Sequence, residues 1–442
     1  MINKLILLAL ITVTVYSCVP VEPLDDSLDA TLLNYLAQNA PTGNYDYYIM
    51  PASNDFDKLP NQDPHNPITQ AKIDLGKLLF HETGLAQDSK LDACYETYSC
   101  SSCHIATKGF LPGRFQGIAD GAEGFGYQGS NRRVVEGYTQ YDLDAQGNRP
   151  MTVMNVTYMT NTLWSGLFGA NDLNVGTKAA WTGLAEVNHT GYFGLEAQNI
   201  EGFKLHRLAI NDRVLNEFGY AKLFDKAFPE MAKVVRYSPV TASFAMSAYL
   251  RSILTNRAPF QDYLKGDKTA ITESQKKGAI LFFDKAGCAS CHNSPSFSAM
   301  KFFALGTKDM YEFGGLNTSV DDARTRGRAM FTGSEDDMFK FKVPQLYNLK
   351  DYVTFFHGSS KNSIREVIEF KLKAKSENRL VPDSDIALRP VTLSEEEKNQ
   401  LEDFLNNALY DDNMARYMPT SVLSGYCFPN NDKTSKLDMG CK

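Results

Sequence analysis

The chain has 442 residues, 43% of them apolar and 22% charged, with a formal net charge of −7. Such a composition is ordinary for a globular protein, and the length leaves room for two or three domains with buried cores. No basic block offers a footprint for phosphates, which argues against a nucleic-acid partner and leaves a mildly acidic surface suited to a basic soluble one.

Lys4 precedes an apolar run from Leu5 to Val15, too short to span a bilayer but sized for a signal-peptide core. Val15-Tyr16-Ser17-Cys18 resembles a lipoprotein box. Residues 1–18 are therefore expected to direct export to the periplasm or cell envelope, with a lipid anchor at Cys18; plain cleavage after Ser17 is the alternative. Residues 19–66, rich in Pro, Asn and Asp, read as a tether followed by irregular structure. From about Pro67 a helix is predicted, because Ala71, Leu75, Leu78 and Leu79 recur at three- and four-residue spacing. It ends in Gly76-Lys77-Leu78-Leu79-Phe80, and then comes SCSSCHIATKGF (99–110), which sets Cys100, Cys103 and His104 in the pattern Cys-x-x-Cys-His.

Residues 113–200, rich in Gly, Asn and Tyr, are expected to be loops that wrap a site. An amphipathic helix is predicted from Thr241, with Ala242, Ala245, Tyr249, Ile253 and Leu254 along one face. Asn256 to Gly266 reads as an inter-domain joint. Gly278-Ala279-Ile280-Leu281-Phe282 then repeats the earlier Gly-x-apolar-Leu-Phe shape just ahead of CASCHNSPSF, which carries Cys288, Cys291 and His292. Each Cys-x-x-Cys-His thus follows a similar short helix, a faint internal duplication. A last helix is predicted over Leu393–Leu409, opened by Ser394 and Glu397 as a capping box. Residues 413–442 look like a peripheral tail. The expected fold is mainly α, in two similar lobes with long loops.

Two cysteines at i and i+3 lie about one turn apart, so both sulfurs can meet the vinyl groups on one porphyrin edge while the adjacent histidine points at the iron. A Cys₄ zinc site would require the two pairs to converge and leaves both histidines idle. A redox dithiol does not need the histidine either. The reading is two covalent haems c with His104 and His292 as proximal ligands. Of the other cysteines, Cys427 and Cys441 would close a short loop in an exported protein and leave Cys94 odd, though the sequence does not decide the pairing. The five remaining histidines are His65, His81, His189, His206 and His357. An iron closed on both faces only passes electrons, whereas one with an open face can activate an oxidant.

From about Ala71 to Leu409 these residues resemble the bacterial di-haem cytochrome c peroxidases and the related MauG-type enzymes. The resemblance is carried by LGKLLF, NRPMTVMN (148–155), LWSG around Trp164, AYLRSIL through RAPFQDYLKGD (248–267), KKGAILFFDKAGCASCH, FKVPQLYN (341–348), FFHG and LSEEEKNQLEDFL. It implies two cytochrome-c-like helical domains, each binding one covalent haem c. Residues 67–256 would hold the peroxidatic haem and residues 257–412 the electron-accepting one. Trp164 would be a stepping stone between them, plain core packing being the bland alternative. A calcium ion at the interface is typical of the family, and a homodimer is a further candidate.

The departures from the family pattern matter as well. Many members carry a distal histidine after the first haem motif, yet Lys108 to Arg133 has none, so this haem is expected to be five-coordinate. Peroxide cleavage needs a group that takes one proton and returns it. By resemblance Gln198 matches the family's glutamine, and the glutamate position falls near His206, with Glu201 as the other candidate. For the second haem, the family's Met or Tyr ligand falls on Lys371; Met300 or another methionine is the competing choice. The implied activity is reduction of hydrogen peroxide to water with electrons from a cytochrome c or copper protein. A MauG-like oxidase acting on an organic or protein substrate, and a non-enzymatic di-haem electron carrier, are the alternatives.

Overall fold

The computed structural model describes residues 27–441, so the signal-like run and Cys18 lie outside the described residues. The fold is mainly helical. In chain order the helices are α1 (Leu28–Asn39), α2 (Gln70–His81), α3 (Gly194–Leu205), α4 (Ala221–Ala227), α5 (Lys233–Arg236), α6 (Pro239–Arg251), α7 (Pro259–Leu264), α8 (Glu273–Phe283), α9 (Ala329–Thr332), α10 (Ile364–Lys373), α11 (Glu395–Asp403) and α12 (Lys433–Met439). Two small antiparallel pairs accompany them, β1 (Ala122–Glu123) with β2 (Arg133–Val134) and β3 (Ala299–Ala304) with β4 (Lys340–Val343). Among the described residues no helix is long and apolar enough to cross a membrane.

One helix crossing is built twice. α2 lies across α6, and a Cβ placed on Gly76 would overlap the Ala245 carbonyl; α8 lies across α11, and a Cβ on Gly278 would overlap the Gln400 carbonyl. Each glycine lets two helix backbones touch, which any larger residue forbids. Around the first crossing gathers a core containing Leu75, Leu79, Phe224, Ala245 and Tyr249; around the second gathers one containing Phe260, Phe282, Phe297 and Phe404. α11 begins under Ser394, whose side chain accepts the Glu397 amide while the Glu397 carboxylate accepts the Ser394 amide at 2.7 Å. The expected capping box is there.

Two expectations need correction. α6 starts at Pro239 under a Ser238 cap and is buried nearly all round rather than on one face; Ser243 and Ser247 are 0% exposed and return their hydroxyls to the Pro239 and Ser243 carbonyls at 2.7 and 2.9 Å. That local bonding makes polar residues tolerable inside. The stretch 256–266, expected as a joint, contains α7, with Phe260 and Tyr263 fully buried.

The chain ends, expected as a tether and a peripheral tail, are both structural, and each crosses over to the far lobe. α1 buries Leu32 and Leu36 in the second core. At the other end Met414 and Tyr417 join the first core, and the backbone beyond them clasps the first cysteine turn: Ser99 and Ser102 donate their hydroxyls to the Pro429 carbonyl at 3.1 and 2.9 Å. Cys427 and Cys441 form a disulfide, which leaves Cys94 as a buried free thiol. A few apolar anchors in polar surroundings dock these ends, and composition averaged over a window hides them.

Candidate haem-binding sites

The two Cys-x-x-Cys-His motifs fold as the same object. Cys100–Ser102 and Cys288–Ser290 are single 3₁₀ turns, closed by the Cys103 amide on the Cys100 carbonyl at 3.3 Å and the Cys291 amide on the Cys288 carbonyl at 3.2 Å, with the next histidine amide sharing each acceptor. Each imidazole then donates Nδ1–H to a downstream carbonyl, His104 to Phe110 at 3.0 Å and His292 to Phe297 at 2.7 Å. A carbonyl can only accept, so this bond sets the tautomer and leaves Nε2 with its lone pair free for a metal. Phe110 and Phe297 both have positive φ, 53° and 55°. That costs about 1–2 kcal/mol for a side-chain-bearing residue and is what turns the carbonyl toward the ring. Phe80 and Phe282, the last residues of the repeated helix pattern, lie 6.2 and 6.5 Å from the two imidazoles. Burial holds His104 down to about 4 and His292 to about 3 against the opposing effect of these hydrogen bonds, so both imidazoles are neutral at physiological pH, the form a metal requires.

Their surroundings differ. His292 opens onto a cavity of about 120 Å³, walled by residues such as Phe303, Leu305, Phe341, Val367 and Leu388. Lys371, on α10, lines the same cavity; burial lowers its amine below the ordinary lysine value, with the Cys288 and Cys291 thiols opposing, and among the described residues it has no hydrogen-bond or ion-pair partner. Met300 does not line this cavity. It sits on β3 in a separate open groove with Phe302 and Arg328. Met151 and Met159 are the methionines that reach the cavity wall.

Trp164 also lines this cavity. It is 7% exposed, donates its indole N–H to the Arg149 carbonyl at 2.6 Å, and lies 6.4 Å from the ring of His357. His357 is a packing residue here, stacked on Phe341 at 3.6 Å and hydrogen-bonded to Asp309 at 2.8 Å. Tyr352 connects the two sites. Its ring lines the cavity and packs against both cores, and a Cβ on Gly109, next to the carbonyl that holds His104, would press into it.

The His104 side is polar. His206 caps the C-terminal end of α3 and donates Nδ1–H to Asp144 at 2.7 Å, with the imidazole about 35% exposed. Burial opposes its charge, but the Asp144 carboxylate outweighs that and raises the histidine above its ordinary value. The Tyr98 hydroxyl, two residues before Cys100, donates to the His206 carbonyl at 3.0 Å, which sets this pair beside the first cysteine turn. Gln198, Gly202 and His206 are spaced i, i+4, i+8 and share one face of α3, with Glu201 alongside. Gln198 and Glu201 are half-buried and, among the described residues, make no hydrogen bond or ion pair. Of the three acid–base candidates, only His206 has a partner that holds it.

A family model described as di-haem cytochrome c peroxidase matches residues 70–269. Cytochrome-c peroxidase IdrP2 of Pseudomonas sp. (strain SCT) is 28% identical over 367 residues, 79% of this chain and 84% of the relative. The methylamine utilization protein MauG of Methylorubrum extorquens is 26% identical over 351 residues, 79% and 82% of the two chains. The chain is similar to di-haem cytochrome c peroxidases and MauG over most of its length. Among solved structures, a MauG-like protein associated with microbial copper homeostasis superposes with a TM-score of 0.56 at 22% identity, covering 83% of this chain and 95% of that one. The diheme peroxidase BthA of Burkholderia thailandensis superposes at 0.50, with 17% identity and 80% and 89% coverage. These two likenesses speak for the fold.

Haem is the group this family implies, and the residues fit it. Each turn presents two cysteines and a neutral imidazole with a fixed tautomer, and beside one of them lies a mostly apolar cavity lined by aromatic and aliphatic side chains with a few polar groups, the usual make-up of a cofactor site. Calcium lacks comparable support, because among the described residues no three His, Cys, Asp or Glu side chains cluster as a metal site. Sequence reasoning missed Asp144, Arg149, Lys342 and Tyr352 as site residues. Arg149 and Lys342 stand inside motifs that signal the family, NRPMTVMN and FKVPQLYN, whereas nothing in the sequence marks Asp144, whose partner is 62 residues away.

Proposed function

We propose that the protein is an exported di-haem peroxidase that reduces hydrogen peroxide to water with electrons from an external cytochrome c or copper protein. The observation that carries this is the unlike setting of two like turns: one beside an acid–base pair, the other on a mostly apolar cavity. When bound at Cys100/Cys103/His104 and Cys288/Cys291/His292, the haems supply the iron redox chemistry. The chain supplies the rest. His206, its Nδ1–H held by Asp144, keeps Nε2 free to take a proton from the near oxygen of peroxide and return it to the far one, and Gln198 on the same helix face orients the oxidant. On the other side, Lys371 rather than Met300 would hold the second haem together with His292, its amine lining the same cavity and its burial favouring the neutral form that can donate to a metal. Trp164 and Tyr352 provide the aromatic bridge between the lobes, which are residues 67–256 with the tail and 257–412 with α1.

A MauG-like oxidase is the second reading. It is favoured by the absence of any histidine between Lys108 and Arg133, which leaves the first iron without an imidazole that must be displaced. The test is to mix the half-reduced holoprotein with peroxide and follow both haem spectra. Rapid reoxidation with turnover on adding a donor supports the peroxidase. A slow, donor-independent decay with modification of an added substrate supports the oxidase. No reaction at either haem leaves only an electron carrier and refutes both.

A further inference from the structure

The cavity beside His292 contains an imbalance of charge. Three cationic side chains, Arg149, Lys342 and Lys371, line it, and no aspartate or glutamate does. Arg149 is 6% exposed; its Nε donates to the Phe356 carbonyl at 3.0 Å, while Nη1 is buried without a partner. Lys342 is 2% exposed, and its Nζ meets one neutral group, the Asn161 carbonyl at 2.6 Å. Its strand neighbourhood adds Arg328, a further cation, rather than an anion. Burial pushes the Lys342 amine down to about 7 and the Arg149 guanidinium down to about 10. Buried cations without anions are costly, and a fold retains them where an anion arrives from outside.

The positions of the three are informative. Lys371 is the cation felt by the Cys288 and Cys291 thiols. Arg149 and Lys342 instead bracket Trp164. The guanidinium lies 5.6 Å from the indole centroid and the Arg149 carbonyl takes the indole N–H; the Lys342 amide donates to the Trp164 carbonyl at 2.9 Å. A porphyrin joined to two cysteines through its vinyl edge carries its two propionates on the far edge. Cys291 lining an apolar cavity, with Cys288 one turn away, and two unneutralised cations around Trp164 suit that polarity.

We propose that Arg149 and Lys342 receive the two propionate carboxylates of the haem attached at Cys288 and Cys291, so that the propionate edge abuts Trp164. This rests on the haem reading above. Arg149 acts as a forked donor through Nη1, and Lys342 as a point charge. Holding the propionates ionised fixes the charge around the iron as it cycles between its two oxidation states. It also gives the electron a short route from Trp164 into the ring edge, through the Arg149 unit that binds both.

The test is spectroelectrochemical titration of the holoprotein across neutral pH for Arg149→Met, Arg149→Lys and Lys342→Met, with haem content by mass and fold by circular dichroism. Removing a cation leaves a propionate charge that favours ferric iron, so the potential of the His292 haem shifts lower. The freed propionate then takes up a proton on reduction, so that potential falls as pH rises; the His104 haem stays unchanged, and Arg149→Lys restores part of the wild-type profile. Correctly loaded variants that keep both the wild-type potential and its pH profile overturn the proposal. If Arg149→Met does not fold, Lys342→Met and Arg149→Lys decide it by the same criterion. Absence of haem at Cys288 and Cys291 in the parent protein refutes the haem reading instead, so the two failures are distinguishable.

Discussion

The turn at Cys100 and the turn at Cys288 share a 3₁₀ hydrogen bond, a His–carbonyl bond made by a phenylalanine at positive φ, and a phenylalanine from the preceding helix. Around the first stands a carboxylate–imidazole pair, Asp144 and His206, in partial contact with solvent. Around the second the wall is apolar, and its cations have no carboxylate among the lining residues. The two turns share their local geometry, while the dielectric and the charge around them differ, and those would decide what a bound iron can do. The lobes differ in how they are tied together as well. In the first, Arg251 on α6 and Glu196 on α3 form an ion pair that is 3% and 0% exposed, extended by Asn66. In the second, the neutral amide of Gln261 binds the Tyr48 carbonyl at 3.0 Å and the Tyr347 hydroxyl at 2.8 Å.

The sharpest way to break this contrast is at the proton-handling pair. His206→Ala should lower peroxide turnover by about 10²–10⁴-fold, the usual contribution of a general acid–base, with both haems still attached. Lys371→Ala should instead convert the second haem to a high-spin spectrum and alter turnover less. Steady-state kinetics with absorption spectroscopy on both variants checks the pair, and equal kinetic losses would erase the distinction between lobes.

Stability offers the next contrast. Glu196→Ala strands the Arg251 guanidinium in the first core and should cost about 3–5 kcal/mol, because an uncompensated buried charge remains. Gln261→Ala in the second core should cost less, about 1–3 kcal/mol for the partners left unsatisfied. Denaturant unfolding of the holoprotein measures both. Gly76→Ala and Gly278→Ala test whether the duplicated crossing is equivalent: each forces two helices apart at a carbonyl, and each should cost about 1–3 kcal/mol. A large asymmetry between them would mean that only one crossing is tight.

The smallest effect is in pH. His206 is raised in the folded protein, so its pairing with Asp144 stabilises fully below the ordinary histidine value and is lost as pH rises through the raised one. NMR titration of the imidazole should place its midpoint above the reference, and Asp144→Asn should bring it down. A midpoint insensitive to Asp144→Asn would remove the carboxylate from the site.

The helices around both motifs were legible because their determinants are local: Thr69 caps α2, Ser394 and Glu397 open α11, and apolar residues recur at helical spacing. The helix expected from Thr241 forms over Pro239–Arg251, so Ile253 and Leu254 fall past its end, and its surroundings were misread. Its Ser243 and Ser247 look solvent-facing in a pattern of apolar residues, while their bonding within the helix lets them be buried. The two ends were misread for the same reason. Leu32 and Leu36, or Met414 and Tyr417, are too few to outweigh their polar neighbours in a composition average, yet each docks onto a core formed elsewhere in the chain.

The sequence by itself determined the two attachment turns, since cysteines three apart and an adjacent histidine act within one turn of backbone. Only the tertiary structure decided what faces each of them. Asp144 reaches His206 across 62 positions and Lys342 reaches Asn161 across 181. A cavity's charge is the sum over side chains delivered by distant segments, and no local pattern of residues encodes that sum.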